Sequence, residues 1–97
     1  MDPQLVSAIR GRRMIEFEYG GHHRVAEPHV YGCLGGVDQL LIYQVAGGSS
    51  SGGLPQWRRV DVYRISGLVI GNTLFAGPRP APSGIHSSWD QTYVLVA

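Results

Sequence analysis

A chain of 97 residues with a formal charge of +1, 43% hydrophobic and 15% charged, describes one small globular domain and excludes a second. The near-neutral balance excludes a strongly basic nucleic-acid surface, so any phosphate recognition has to come from a local patch. The single cysteine, Cys33, excludes an internal disulfide and a cysteine-based zinc site, and no apolar run approaches the ~20 residues of a membrane-spanning helix.

Asp2-Pro3 opens a short helix, with Asp2 as N-cap and Pro3 at the first helical position. Leu5 and Ile9 form its apolar stripe, and Gly11 is placed to stop it. Arg10, Arg12 and Arg13 cluster at the end where the helix dipole favours cations. Met14–Tyr19 alternates, with Ile15, Phe17 and Tyr19 on one face and Glu16 and Glu18 on the other, which predicts a half-buried strand. Gly20-Gly21 makes a turn, and a second extended segment runs from His23 to Tyr31, where Pro28 implies an edge position or a bulge.

Gly32–Gly36 breaks that segment. Leu40–Val45 is apolar on both faces and reads as a central third strand. Gly47–Gly53 reads as a flexible loop at a hairpin tip, with a mobile lid as the alternative. Trp57–Arg64 is a fourth strand and Ile65–Ile70 a fifth, with Gly67 as a bulge or bend. Asn72–Ser88 is irregular, and Tyr93–Val96 is a short apolar strand candidate.

The order helix, five short strands, tail predicts a mainly β fold: a small, partly open five-stranded barrel with a short N-terminal helix and an irregular C-terminal tail. The barrel domain spans residues 1–77, and residues 78–97 form a Pro/Gly/Ser-rich tail ending in the strand candidate. The N-terminus has neither a basic n-region nor an apolar h-region, so no signal peptide is expected, and with one cysteine the cytoplasm is the expected compartment.

Several segments taken together resemble the WYL domain family. Leu5-Val6-Ser7-Ala8-Ile9 followed by Ile15-Glu16-Phe17-Glu18-Tyr19 is similar to its opening helix and strand. Arg24-Val25-Ala26-Glu27-Pro28-His29 is similar to its Arg-x-x-x-Pro strand, and Arg58-Arg59-Val60-Asp61-Val62-Tyr63-Arg64-Ile65 to its Arg-x-Phe-x-Leu-Asp-Arg-Ile strand. Phe75-Ala76-Gly77-Pro78-Arg79-Pro80 is similar to a closing segment of some members. The naming Trp-Tyr-Leu falls at Gln39-Leu40-Leu41, where the leucine matches. The resemblance covers roughly residues 5–80. It implies an SH3-like or Sm-like barrel, a bacterial ligand-sensing role in transcription regulation or a defence or stress pathway, and ligand binding by arginines at the matching positions. Members often carry a helix-turn-helix, of which this sequence shows none, so its action would be in trans.

All eight basic residues are arginine, the better fork for phosphate or carboxylate, though a GC-rich coding bias gives the same composition. Alternation puts Arg58, Val60, Val62 and Arg64 on one face of the predicted fourth strand, with the arginines roughly 20 Å apart at ~3.3 Å per residue. They either bracket an extended anion such as a short oligonucleotide or cap the two ends of the barrel. Arg24 either joins such a site or pairs with Glu27. The candidate ligand-binding set is Arg58, Arg64, Arg24, Tyr19 and His29. Trp57 is a possible stacking platform for a base. Glu27 and His29 share a face but are two ligands and not a metal site. No nucleophile elbow, phosphate-cradling glycine loop or acid–base constellation is present, so neither catalysis nor a cofactor is expected.

Two functions follow. One is a sensor of a nucleotide or single-stranded nucleic acid. The other is a protein-interaction or oligomerisation module that has lost its ligand and self-associates through the C-terminal strand, Tyr93–Val96 adding to its own sheet or a neighbour's. No membrane partner is expected.

Overall fold

The computed structural model describes residues 2–48, 53–80 and 89–97. One helix, α1 (Pro3–Arg10), precedes six strands: β1 (Arg13–Tyr19), β2 (His22–Leu34), β3 (Val37–Gly47), β4 (Gln56–Asp61), β5 (Ser66–Leu74) and β6 (Gln91–Leu95). A single 3-10 turn, Val62–Arg64, separates β4 from β5. The fold is mainly β, an open antiparallel sheet with a short N-terminal helix. Asp2 caps that helix through a bond from the Gln4 amide to its carboxylate at 2.9 Å, and Gly11 follows its last turn.

The strand order is β4-β3-β2-β1-β5. β2 is the hub. Its first half pairs with β1 (Ile15 opposite Ala26, Phe17 opposite Arg24), and its second half pairs on the same side with β6 (Val30 opposite Leu95). Pro28 falls between those two partners and beside a register shift toward β3 (Pro28 opposite Ile42, Val30 opposite Leu41). The missing amide of proline thus sits where the ladder changes partner, which is why a 13-residue inner strand tolerates it. In β5 the bulge expected at Gly67 is present: Glu16 faces Val69 and Glu18 faces Ser66, and Gly67 takes φ +61°.

Two expectations are corrected. β2 and β3 are long, at 13 and 11 residues, so Gly32 lies within β2 and does not end it. The fourth strand ends at Asp61, not Arg64, because the chain turns there to cross from β4 to β5. Val62 still packs on the core from the turn, so its apolar character reflected burial without strand geometry. The C-terminal strand candidate adds to its own sheet, since β6 pairs with β2, and Val94 and Val96 lie in the main core. Gly47–Gly53 joins the paired strands β3 and β4, hence a hairpin tip, with residues 49–52 outside the described set. The irregular stretch Asn72–Ser88 begins with the last residues of β5, and its residues 81–88 likewise lie outside the described set.

The core lies on one face of the sheet and against α1. Ile15, Phe17, Ala26, Tyr31, Leu40, Ile42 and Val60 meet Leu5, Ala8 and Ile9 from α1. Each large side chain among them contributes about 1.5–3 kcal/mol by leaving water. Tyr31 also ties down the helix start, its hydroxyl oxygen accepting the Asp2 amide at 2.8 Å. No helix is long and apolar enough to cross a membrane among the described residues.

Candidate anion-binding site

Strand alternation turns Arg24 inward. It is two residues from Ala26, which is fully buried, and directly opposite Phe17, also fully buried. Gln44 lies opposite Ala26 and Arg58 opposite Ile42, so both share the core-side face of the sheet with Arg24. Glu27 has the opposite parity. The Arg24–Glu27 ion pair considered from sequence is therefore absent, and Arg24 is a 5%-exposed cation without it.

Neutral oxygens alone receive its protons. Nε and Nη2 donate to the Tyr19 carbonyl at 3.3 and 3.2 Å, and Nη1 donates to Gln44 Oε1 at 3.3 Å. Gln44 is held in that orientation because its own amide nitrogen donates to the Ala46 and Gly48 carbonyls at 3.1 and 3.0 Å. Among the described residues no carboxylate lies within ion-pair distance of Arg24. Burial pushes its guanidinium below the ordinary arginine value, and repulsion from Arg58 adds to this, only partly opposed by Tyr19. A buried cation lacking an anion is costly, and a bound anion relieves that cost.

Tyr19 organises the rim. The guanidiniums of Arg24 and Arg64 lie over its ring, 5.2 and 4.8 Å from the centroid. Its hydroxyl oxygen accepts the Asp61 amide at 3.0 Å, which joins the end of β1 to the end of β4. Arg64 is exposed and reaches Tyr19 from the 3-10 turn, whereas Arg58 rises from β4, with Nη2 donating to Gln56 Oε1 at 2.8 Å. The two arginines do not mark the margins of one strand face as expected. The turn after Asp61 carries Arg64 out of the strand and onto Tyr19, so Arg24, Tyr19 and Arg64 meet at one mouth to which Arg58 also contributes its field.

His29 is elsewhere. The register shift beside Pro28 places it fully buried, between Trp57 at 4.7 Å and Phe75 at 5.2 Å between ring centroids. Its Nε2 and Glu27 Oε1 are 3.0 Å apart. Arg79 closes this cluster with two donors to the Glu27 carboxylate, at 2.6 and 2.8 Å, and lies over Tyr43 at 4.5 Å. Trp57 packs edge-on to Tyr43 at 5.1 Å, so its ring is engaged in this cluster. This arrangement ties the 75–80 segment to β2, with Phe75 also reaching the main core. Burial alone would raise the Glu27 carboxyl, yet the bonds from Arg79 and His29 outweigh it and hold the group below its ordinary value.

Gln44 and Arg79 were not singled out from sequence. The signal for Gln44 was available, a lone polar residue amid Leu40–Val45, whereas nothing in Gly-Pro-Arg-Pro told that Arg79 would reach back to Glu27. A surface hollow runs along α1 (Pro3, Val6, Ser7, Arg10, Gly11), lined by none of the residues of the arginine mouth, and offers one charged group. No group of three metal-ligating side chains occurs among the described residues. No protein-family model matches the chain, and neither any curated protein nor any solved structure does.

Proposed function

We propose that this chain is a WYL-like sensor domain that binds an anionic ligand, a nucleotide or single-stranded nucleic acid, at Arg24, Arg58, Arg64 and Tyr19. It acts in trans on transcription or a defence or stress pathway in the cytoplasm and catalyses no reaction. The strand order β4-β3-β2-β1-β5, with a 3-10 turn between the two outermost strands, supports an SH3-like or Sm-like five-stranded barrel to which β6 is added. The observation that carries the ligand reading is Arg24: a buried guanidinium bonded only to neutral acceptors and repelled by Arg58.

Anisotropy of a fluorescent single strand of about 12 nucleotides, within the span of one small barrel, tests this. With three arginine contacts the affinity should fall with salt at a logarithmic slope of about −2, and Arg64→Ala should reduce that slope by about 0.7. No binding of the strand or of a nucleotide at low salt overturns the reading.

A second reading, an interaction module, has its own support. Among the described residues β4 and β5 each pair on one side alone, and β5 exposes Val69 and Leu74. Light scattering checks it: a mass above the monomer that Val69→Lys abolishes supports association through β5, and a monomer at all concentrations removes it.

A further inference from the structure

We infer that the arginine mouth takes a terminal phosphate, a phosphomonoester dianion, in preference to a phosphodiester inside a strand. This rests on the anion-site reading above and adds the class of anion.

The first argument is charge. Arg24, Arg58 and Arg64 bring three positive charges, and their neighbours Tyr19, Gln44 and Gln56 are neutral. Asp61, the nearest acid in sequence, has the opposite parity to Val60 and accepts from Gln39 Nε2 at 2.9 Å on its own side. Neither Arg24 nor Arg64 has a carboxylate within ion-pair distance among the described residues. A single negative charge leaves such a mouth strongly positive, whereas a monoester at neutral pH carries ≈ −1.5 to −2 on three oxygens.

The second argument is access. Arg24 is buried at 5% exposure, and at the β1–β2 turn a Cβ added to Gly20 would stand 3.7 Å from Nη2. Gly20 has no side chain of its own to cover Nη2 there, and so small an exposed fraction leaves little room for a bulky approach. A terminal phosphate leads with unsubstituted oxygens and fits an end-on entry. An internal diester has a nucleoside on both sides and cannot lead with its phosphorus.

The third argument is exchangeability. All three Arg24 bonds, at 3.2 to 3.3 Å, are long beside the ~2.7–2.9 Å of a charge-assisted bond to an anion. Tyr19 O and Gln44 Oε1 thus hold the guanidinium loosely, and phosphate oxygens displace them at little loss.

The experiment compares one single-stranded sequence carrying a 5′-phosphate, a 3′-phosphate or only hydroxyl ends, with a nucleoside 5′-monophosphate and inorganic phosphate as competitors. Both phosphorylated strands should bind about tenfold more tightly than the hydroxyl strand, the worth of one charge-assisted hydrogen bond. Arg64→Ala, at an exposed position, and Arg58→Gln should each shrink that preference. Competition by the monophosphate at concentrations where inorganic phosphate fails identifies a free nucleotide as the source. Preference for the strand over the monophosphate identifies an oligonucleotide end. Equal affinity of hydroxyl and phosphorylated strands, still lost in Arg64→Ala, overturns the inference and leaves the anion site standing. Absence of binding by every probe at low salt overturns both.

Discussion

The Arg24 guanidinium donates from Nε and Nη2 to the carbonyl oxygen of Tyr19 and at the same time lies over that residue's ring, 5.2 Å from its centroid. One residue at the end of β1 therefore supplies both a main-chain acceptor and an aromatic face to a cation from β2. This contact orients the charge toward Tyr19 without neutralising it. The free protein carries a standing electrostatic cost at this point, and that cost has measurable consequences.

Arg58 is the clearest probe of it. Its charge pushes the Arg24 guanidinium down, second only to burial. Arg58→Gln removes that repulsion while keeping a polar group near Gln56. The variant should unfold in urea at the wild-type midpoint or higher, with a gain of up to about 1 kcal/mol, and should bind anions less well. A structural role for Arg58 alone would give the reverse, a lower midpoint and unchanged affinity.

Glu27 and Arg79 make a separable stability prediction. Glu27 is almost fully buried, and Arg79 supplies two of its bonds from a half-exposed position. Arg79→Ala leaves a buried carboxylate with His29 and should cost about 1–3 kcal/mol, read from chemical denaturation. The Glu27 carboxyl is held below its ordinary value of 4.5 in the fold, so its stabilisation is present above that pH and is lost as pH falls through the lower folded value. Thermal melts from neutral to acid pH should show this acid loss in the wild type and a weaker one in Glu27→Gln.

His23 titrates in the opposite sense. On the exposed face its Nδ1 lies 2.8 Å from Glu18 and its Nε2 2.9 Å from Glu16, an arrangement that needs both nitrogens protonated. Those two carboxylates raise its value above 6.5. The contribution is complete below that pH and is lost as pH rises through the folded value. A proton NMR titration of the imidazole should find its midpoint above 6.5 in the wild type and nearer to it in Glu16→Gln and Glu18→Gln. A wild-type midpoint at or below 6.5 would sink the bridging role.

The helix, the presence of the first three strands and the bulges at Pro28 and Gly67 were legible because capping, alternation and ring or glycine constraints act over a few residues, whereas the full lengths of β2 and β3 were not. The extent of the fourth strand was not. Val60 and Val62 both seek the core, and a 3-10 turn satisfies Val62 as well as a strand would. The error moved Arg64, since continuing the alternation placed it at a distant margin of the sheet while the turn brings it to Tyr19. Arg24 and Arg58 could be assigned to one face only with the β2–β3–β4 register in hand. Glu27 and His29 share a face as period-two counting places them, but Tyr31, counted on that face too, lies in the core, because a register shift beside a proline is invisible to such counting. The Arg79–Glu27 bond spans 52 residues and had no local signal.

Gly32 decides whether the C-terminal strand stays with its own sheet. A Cβ there would run into the Gln91 carbonyl and stand 2.7 Å from Trp89 Cε3. Its backbone is not in the left-handed region, so Gly32→Ala tests only this close approach of β6 to β2. Displacing β6 uncovers Val94 and Val96, worth about 1.5–3 kcal/mol each at full burial. Gly36→Ala is the control: φ is +77° with nothing within 4 Å of the added carbon, so it should cost only the ~1 kcal/mol of a left-handed residue. Hydrogen exchange of the 91–96 amides should accelerate in Gly32→Ala and not in Gly36→Ala. The β2 edge freed at Val30–Cys33 can then accept β6 from a second copy, so the alanine variant at position 32 should also show a concentration-dependent dimer by light scattering. A monomer with unchanged exchange would mean that β6 tolerates the extra carbon and that the contact does not hold the strand in place.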